Sequence, residues 1–341
     1  MQKVIRIGTR DSELALWQAN KVQRMLNELG YETKIVPIKS TGDIVLNKPI
    51  YALGITGVFT RNLDIALLNN EIDIAVHSMK DVPTVLPEGI IQAAVLKRAN
   101  YSDILVLKDT EEFFARKEAI IATGSLRRKA MWLNRFPTHT VVELRGNVNT
   151  RLQKLEDNDW NGAVFAAAGL ERIGKRPAGA VNLSWMISAP AQGAIMVASL
   201  AEDDFVKDAC EQLNHHETEV CVSIEREFLH RLEGGCTAPI GALAYVDEKT
   251  EEINFKGVLL SKDGKKKIEV AKITPLGKHR YLAQDCADYV IDRGGKQLII
   301  DDIDVEEEIS TRVFSTKSLS VSQAKLFHNN IASESSDFIK V

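Results

Sequence analysis

The sequence has little cysteine and no long apolar run, and these two absences exclude several classes of protein. Its 341 residues include four cysteines. None of them forms a C-x-x-C pair, so neither a disulfide framework nor the ligand spacing of a zinc site is present. No apolar stretch approaches the length of about 18 residues that a membrane-spanning helix needs. The first residues alternate in polarity like a strand and lack the apolar core of a signal peptide. We therefore expect a cytoplasmic protein with no membrane partner and no bound metal.

An excess of positive charge is also lacking. Lysine and arginine total 43 against 47 aspartates and glutamates, which gives a formal net charge of −4. Nucleic-acid-binding proteins usually carry a basic excess, so we expect no nucleic-acid partner. The phosphate-binding patterns G-x-G-x-x-G and G-x-x-x-x-G-K-[ST] are absent, so nucleotide cofactors have no support. The content of 45% hydrophobic and 26% charged residues is typical of a folded globular protein.

Strand-like and helix-like segments alternate over the first two hundred residues, and the pattern changes near residue 215. The alternation predicts largely parallel sheets covered by helices. Beyond it, a helix, three strand-like stretches and a closing helix predict a small α+β unit with a meander. We expect a first α/β domain at 1–98 and 194–215 and a second at 99–193. An α+β domain at 216–300 and an extension at 301–341 follow.

Arginines follow the carboxyl ends of several predicted strands. In an open α/β sheet, ligands bind at this edge because loops there present side chains without breaking the core. Guanidinium groups suit carboxylates and phosphates, so the sequence predicts a cleft for a small polyanion. Ser12, directly after the first strand, is predicted to be the N-cap of the next helix, a ligand-binding residue, or both. The arginines of this set are Arg10, Arg127, Arg128, Arg145, Arg151 and Arg172.

Asp81 and Cys236 differ in chemistry from their surroundings. Asp81 is a carboxylate among many cations, so we expect it to stay ionised, to stabilise a developing positive charge and to move protons. Its alternative roles are an ion pair with Lys80 or the cap of a turn before Pro83. Cys236 lies in a glycine-rich loop, whereas the other three cysteines are expected to be small apolar core residues. The histidines, His77 among them, lack metal-binding spacing and are expected to be structural.

Five motifs occur in the order in which a known family has them, and jointly they are highly specific. They are Gly8-Thr9-Arg10-Asp11-Ser12, His77-Ser78-Met79-Lys80-Asp81-Val82-Pro83, Gly124-Ser125-Leu126-Arg127-Arg128, Leu144-Arg145-Gly146-Asn147-Val148 and Leu232-Glu233-Gly234-Gly235-Cys236. On these residues the sequence resembles the porphobilinogen deaminase family, also called hydroxymethylbilane synthases. The resemblance implies two α/β domains like those of type 2 periplasmic binding proteins, followed by a small α+β C-terminal domain. It also suggests a monomer.

The resemblance further implies an activity in tetrapyrrole and haem biosynthesis. Four porphobilinogen molecules are added head to tail to a dipyrromethane primer with release of ammonia, and water then releases hydroxymethylbilane. Cys236 is expected to carry the primer through a thioether, and Asp81 to be the catalytic carboxylate. The other residues expected to bind the primer are Ser78, Lys80, Thr123, Ser125, Arg127 and Arg128. Those expected to bind porphobilinogen and the linear oligopyrroles are Arg10, Ser12, Arg145, Arg151, Arg172 and Gln192.

The number of arginines predicted to face the cleft agrees with the expected chemistry. Each pyrrole carries an acetate and a propionate, so a chain of six rings would bring about twelve carboxylates into the cleft. Two stretches depart from the family pattern. Thr56 stands in a glycine loop where a lysine is common, and Pro190-Ala191-Gln192-Gly193 differs slightly from the usual valine-glycine-glutamine-glycine.

Two other functions compete with this interpretation. A non-catalytic protein of the same fold could bind a small dicarboxylate, but such a protein has no need of a loop cysteine. A nucleic-acid-binding protein could use the arginines, but the net charge and the lack of interleaved aromatic residues disfavour it.

The residues after 300 are predicted separately. They begin with an acidic run, followed by a predicted strand at 312–316, a helix at 322–329 and a strand at 337–341. This order weakly resembles the opening strand and helix of uroporphyrinogen-III synthase. The alternative is an extension that docks on the third domain.

Overall fold

The computed structural model describes residues 3–39, 60–108, 110–232 and 238–299. Its strands are β1 (Ile5–Thr9), β2 (Thr33–Pro37), β3 (Ile74–Ser78), β4 (Ile90–Val95), β5 (Asp103–Leu107), β6 (Ile120–Ala122), β7 (Thr140–Val142), β8 (Gly162–Ala166), β9 (Val181–Asn182), β10 (Ile195–Leu200), β11 (Ile240–Asp247), β12 (Glu252–Leu260) and β13 (Lys267–Pro275). Its α-helices are α1 (Glu13–Glu28), α2 (Arg61–Leu68), α3 (Leu126–Arg135), α4 (Val148–Asp157), α5 (Ala167–Arg172), α6 (Asp204–Glu211), α7 (His216–Arg231) and α8 (Leu282–Asp292). The predictions for Thr56 and its loop, for Cys236 and for residues 301–341 lie outside the described residues.

The first sheet has the strand order β2-β1-β3-β10-β4. Strand β1 pairs in parallel with β2 and β3, whereas β10 runs antiparallel to β3 and β4. Helices cover both faces, so nearly all residues of its central strands β3 and β10 are buried. On one face Ile5 and Ile7 of β1 share a core with Leu26 of α1. On the other face Ala75 of β3 shares a core with Leu63 of α2.

The second sheet repeats this arrangement with the order β7-β6-β8-β5-β9. Strand β6 is parallel to β7 and β8, and β5 is antiparallel to β8 and β9. Four of the five strands in each sheet run in one direction, as the expectation of largely parallel sheets requires, and the fifth runs opposite to them, which was not predicted. The cause is the path of the chain. It leaves the first sheet through residues 96–102, the first crossover, and returns through residues 183–194, the second crossover. The strand after each crossover enters its sheet antiparallel to its neighbours.

The third sheet is an antiparallel meander of β11, β12 and β13, as predicted, and α7 and α8 pack against it. The ring of Phe228 on α7 meets the ring of Phe255 on β12 edge-on, with centroids 5.2 Å apart. Gly257 lies beneath the same phenylalanine, and a Cβ atom there would come within 2.7 Å of the Phe228 ring. A glycine at this position therefore lets α7 approach the sheet closely.

The predicted fold class is confirmed. Two five-stranded α/β sheets share one arrangement of parallel and antiparallel strands, and a small α+β unit follows them. Every element named above belongs to one compact unit, which ends at Gly295. The domain boundaries near residues 98, 193 and 215 stay predictions.

Candidate active site

A cavity of about 70 Å³ lies where β1 and β3 end. These strands are parallel neighbours, so the residues that follow them meet at one edge of the sheet. Arg10 and Ser12 line the cavity after β1, and His77, Ser78 and Asp81 line it at the end of β3 and beyond. The structure thus brings together four residues that the sequence analysis assigned to a site, and it adds His77.

Asp81 lies on a short 3₁₀ turn, Met79–Asp81, that directly follows β3. The buried Met79 fixes this turn, and its carbonyl oxygen accepts the Val82 N–H at 3.1 Å. The Asp81 carboxylate makes no hydrogen bond or ion pair with any residue that the structure describes. The alternative roles, pairing with Lys80 and capping a turn, are therefore not observed in the described part of the chain. The carboxylate lines the cavity instead.

Cations surround Asp81. Burial lowers the pKa of Lys80 to about 8, with Asp81 opposing the shift and Arg128 adding to it. Burial likewise lowers the pKa of Arg151 to about 10, an effect that Arg128 and Arg145 increase and Asp81 opposes. These lowered values mean that the protein's own carboxylates do not fully compensate the buried positive charge.

Two serines of the cavity make hydrogen bonds within the protein. Ser12 is the N-cap of α1, where its Oγ accepts the Ala15 N–H at 3.4 Å, so it serves as a cap and also lines the cavity. Ser78 Oγ accepts a hydrogen bond from Gln18 Nε2 at 2.8 Å. The sequence analysis missed Gln18. Its signal was a buried amide on the apolar face of an amphipathic helix, where a polar group needs a partner.

A second cluster centres on Asp103, the fully buried first residue of β5. One carboxylate oxygen accepts from Arg127 Nη1 at 2.7 Å, and the other accepts from Arg128 Nε at 2.9 Å. Gln192 Nε2 donates to the second oxygen at 3.0 Å. Burial alone would raise the pKa of Asp103, but the two guanidinium charges hold that pKa well below its usual range. The sequence analysis missed Asp103, although an aspartate that opens an apolar strand is a signal of buried pairing.

Gln192 connects the cluster around Asp103 to Lys80, the neighbour of Asp81 in the sequence. Its Oε1 lies 3.5 Å from Lys80 Nζ and 3.4 Å from Arg128 Nη2. The side chain is fully buried and also donates to the Tyr101 carbonyl oxygen. Its partners are thus protein groups, and its predicted contact with substrate stays a prediction.

The turn between β6 and α3 carries Thr123 and Ser125. Ser125 is the N-cap of α3, with its Oγ accepting the Arg128 N–H at 3.4 Å, and Thr123 Oγ1 accepts the Ser125 N–H at 3.3 Å. Between them, a Cβ atom at Gly124 would lie 2.5 Å from the Leu144 carbonyl oxygen. This turn thus approaches the chain at the end of β7, where the next two arginines of the set follow.

Arg145 and Arg151 flank the start of α4. Arg145 is buried, and Arg151 Nε donates to the Gly146 carbonyl oxygen at 2.7 Å. Gly146 has φ +113°, and a Cβ atom there would lie 2.7 Å from Thr150. Only glycine combines this backbone conformation with this close packing.

Arg172, at the end of α5, lies against α1 and the second crossover. Its Nη2 donates to the Gly193 carbonyl oxygen at 2.7 Å, and its guanidinium lies 5.8 Å from the Trp17 ring centroid. Burial lowers its pKa to about 10. Nearby exposed contacts also join α1 to α4 and to the chain after α5. Glu13 Oε2 accepts a hydrogen bond from Asn149 Nδ2 at 2.7 Å and one from Lys175 Nζ at 3.0 Å.

The cationic side chains fit a cofactor that carries carboxylates, and the Asp81 carboxylate can accept hydrogen bonds from pyrrole N–H groups. Lys80, Arg128 and Arg151 all have pKa values lowered by burial, so an added anion would stabilise their charged forms. The buried Arg127 Nε has no hydrogen-bond partner among the described residues. Within that same part of the chain, no cluster of three or more histidine, cysteine or carboxylate side chains could hold a metal ion. None of its helices has both the length and the hydropathy needed to cross a bilayer.

The likeness to solved structures is distant. The chain matches the methionine-binding protein MetQ with 12% identity and a TM-score of 0.41, over 62% of this chain and 89% of that one. It matches the periplasmic VFT2 domain of BvgS from Bordetella pertussis with 10% identity and a TM-score of 0.37, over 62% of this chain and 86% of that one.

The likeness to curated sequences is much closer. The porphobilinogen deaminase of Desulfitobacterium hafniense is 42% identical over 301 residues, which cover 86% of this chain and 96% of the relative. The probable porphobilinogen deaminase of Methanocaldococcus jannaschii is 42% identical over 291 residues, 81% of this chain and 97% of the relative. The chloroplastic enzyme of Oryza sativa subsp. japonica is 42% identical over 282 residues, 80% and 78% of the two chains.

Family descriptions cover nearly all of the described chain. Residues 5–208 match "Porphobilinogen deaminase, dipyromethane cofactor binding domain", and residues 219–292 match "Porphobilinogen deaminase, C-terminal domain". These matches support an enzyme and give no support to a non-catalytic binding protein. On this sequence identity and these two matches, the chain belongs to the porphobilinogen deaminase family.

Proposed function

We propose that this chain condenses four porphobilinogen molecules head to tail on a covalently bound dipyrromethane primer and then hydrolyses the product to hydroxymethylbilane. Each addition releases one molecule of ammonia. The observation that carries the proposal is the position of Asp81. This carboxylate lines a cavity, has no hydrogen-bond partner among the described residues, and is surrounded by Lys80, Arg128 and Arg151.

In this proposal one set of residues binds the primer and a second set binds the substrate. The primer, attached to Cys236 through a thioether, supplies the nucleophilic pyrrole end on which the chain grows. Cys236 lies outside the described residues, and its assignment rests on the glycine-rich motif. The remaining primer-binding residues are Ser78, Lys80, Thr123, Ser125, Arg127 and Arg128. The residues that bind the carboxylates of porphobilinogen and of the growing chain are Arg10, Ser12, Arg145, Arg151, Arg172 and Gln192.

Asp81 acts on the charge that develops in porphobilinogen. When the carbon–nitrogen bond of the aminomethyl group breaks, its electron pair leaves with nitrogen and positive charge spreads over the substrate pyrrole. Among buried arginines that charge is unfavourable, so an anion close by must offset it. The Asp81 carboxylate supplies that anion, and because it has no competing partner among the described residues it can also take up a proton.

The proposal extends to domains, location and partners. The two five-stranded sheets are the cores of the α/β domains at 1–98 with 194–215 and at 99–193, and the meander is the core of the domain at 216–300. The enzyme acts as a cytoplasmic monomer on porphobilinogen and linear oligopyrroles, with no nucleic acid or membrane as partner. The net charge of −4 supports the part that concerns nucleic acid.

The proposal is tested with intact protein from expression cells that make porphobilinogen. The mass of the wild type should exceed the chain mass by one dipyrromethane unit, and Ehrlich's reagent should report a bound dipyrrole. The Cys236→Ser variant should fold but lack both signals. Cys286→Ala is the matched control, because burial raises the pKa of Cys286 to about 11 and leaves it an unreactive thiol. A wild type that converts porphobilinogen at bare chain mass would overturn the proposal.

A further inference from the structure

His77 is a buried polar residue in the cavity wall that the expected chemistry does not use. It belongs to β3, pairs with Met196 of β10 and lines the cavity together with Arg10 and Asp81. The residue is 6% exposed. Its ring makes no hydrogen bond to any residue that the structure describes. Buried polar groups in folded proteins are nearly always hydrogen-bonded, so an unpaired ring in a cavity wall indicates a contact with a ligand.

The charge state of His77 follows from its surroundings. Burial, together with the neighbouring Arg10 charge, lowers the pKa of His77 to about 4. The imidazole is therefore neutral near pH 7 and offers one ring nitrogen as a hydrogen-bond acceptor and one N–H as a donor. A neutral ring beside Arg10 and Asp81 adds hydrogen-bonding capacity to the cavity without changing its charge.

The other polar groups of the cavity wall indicate a separate role for His77 as a hydrogen-bond acceptor. Arg10 only donates hydrogen bonds, whereas the hydroxyl oxygens of Ser12 and Ser78 already accept one each from the protein. Asp81 and His77 are the titratable acceptors among the described lining residues. Porphobilinogen carries two carboxylates for the arginines and two kinds of donor, the pyrrole N–H and the aminomethyl ammonium. If Asp81 faces the pyrrole, the ammonium requires a second acceptor.

We propose that His77 accepts a hydrogen bond from the aminomethyl group of the incoming porphobilinogen and thereby sets the enzyme's preference for an amine leaving group. The contact orients the carbon–nitrogen bond next to Asp81. This assignment rests on the proposed function, because it takes porphobilinogen as the substrate.

The test compares porphobilinogen with an analogue that carries a hydroxyl group in place of the amine. His77→Phe keeps a ring of similar size but removes the acceptor. A hydrogen bond to a charged donor is stronger than one to a neutral donor, so His77→Phe should lower kcat/KM for porphobilinogen about ten- to hundredfold. It should lower kcat/KM for the hydroxyl analogue much less. His77→Gln retains an acceptor and should keep most of the wild-type preference for the amine.

The control is His139→Phe. His139 is also buried, but it bonds to Trp132 and to the Arg116 carbonyl oxygen, away from the cavity. That variant should change stability and leave the ratio of the two kcat/KM values unaltered. If His77→Phe does not fold, His77→Leu takes its place as the variant without an acceptor, and His77→Asn takes the place of His77→Gln as the variant that retains one. The expected outcomes are the same. Equal losses on both substrates, or no loss on either, would overturn the assignment of His77. A wild type inactive on porphobilinogen would instead overturn the proposed function.

Discussion

Arg98 and Glu225 form a buried two-point ion pair, with Nη1 at 2.6 Å from Oε1 and Nη2 at 3.1 Å from Oε2. Arg98 belongs to the first crossover and Glu225 to α7. The carboxylate also accepts the N–H groups of Ala191 at 2.6 Å and of Ala244 at 2.7 Å. Arg98 Nε donates to the carbonyl oxygen of Gln192 at 2.9 Å. One pair of side chains therefore joins both crossovers to α7 and β11.

Removing the charge of Glu225 should destabilise the whole fold. Glu225→Gln leaves a buried guanidinium without its anion, and breaking a buried pair in this way costs about 3–5 kcal/mol. We expect the free energy of unfolding, measured by urea denaturation, to fall by that amount. The matched control is Asp285→Asn, which breaks the exposed Lys272–Asp285 pair and should cost less than about 1 kcal/mol. Equal effects of the two substitutions would show that the Arg98–Glu225 pair adds nothing special to stability.

Asp81→Asn should separate chemistry from binding. The amide keeps the shape of the side chain but removes the negative charge and the capacity to accept a proton. Because each of these contributions is worth roughly a hundredfold or more, we expect turnover to fall at least about a hundredfold. Substrate affinity should fall much less, because the arginines hold the carboxylates.

The measurement for Asp81→Asn is single-turnover release of ammonia from protein whose primer has been verified by intact mass. Asp208→Asn, which changes an exposed carboxylate on α6, is the control and should match the wild type. Ammonia release by Asp81→Asn at near wild-type rate would mean that Asp81 is only a structural turn residue.

Lys80 should impose an alkaline limit on activity. Burial lowers its pKa to about 8, so the side chain is an ammonium that binds carboxylates below that pH and a neutral amine above it. The primer carboxylates that Lys80 binds stabilise the ammonium, so in the primer-loaded enzyme we expect kcat/KM to fall only as the pH rises above about 8. The carboxylates of bound substrate stabilise it further, so the corresponding fall in kcat should occur at still higher pH.

The Lys80→Arg variant tests this assignment, because a guanidinium stays charged over the same range. Its alkaline limit in kcat/KM should move upward or disappear between pH 7 and 10. A limit that stays in place in Lys80→Arg would assign it to another group.

Removal of residues 306–341 should leave turnover nearly intact. The second of the two family matches ends at residue 292, and all described elements of the candidate site precede that residue. The comparison is steady-state product formation by the full chain and the truncated chain at equal concentration of primer-loaded protein. A large loss of activity would refute the dispensability of this segment.

Local patterns in the sequence predict most of the elements up to β8, the elements after residue 215 and the sheet edge where the cavity lies, but they do not predict β9, β10, α5 or α6. The alternation of apolar segments predicts β1, α1 and β3, and polar residues after the two strands mark the cavity because parallel strands end at one edge. Ser12 and Ser125 were assigned to a site and also prove to cap helices, since a residue directly after a strand is often the first of a helix.

Contacts between distant residues could not be predicted in the same way. Asp103 lies about two dozen positions before the arginines that it binds, and Arg98 lies more than a hundred before Glu225. Hydrophobic periodicity reports which residues are buried but not which partners they meet. The antiparallel direction of β5 and β10 was missed for the same reason, because it depends on the two crossovers rather than on either strand.

The two crossovers determine how the halves of the molecule can move. A pair of chain connections defines an axis, and rotation about that axis is the deformation that stretches neither connection. The buried Arg98–Glu225 pair contacts both crossovers and so lies on the axis, where rotation changes distances least. The exposed contacts of Glu13 with Asn149 and Lys175 lie at the helices on either side and are the ones that rotation would break. During such a rotation the buried pair would keep both crossovers attached to α7 while the exposed contacts open and close.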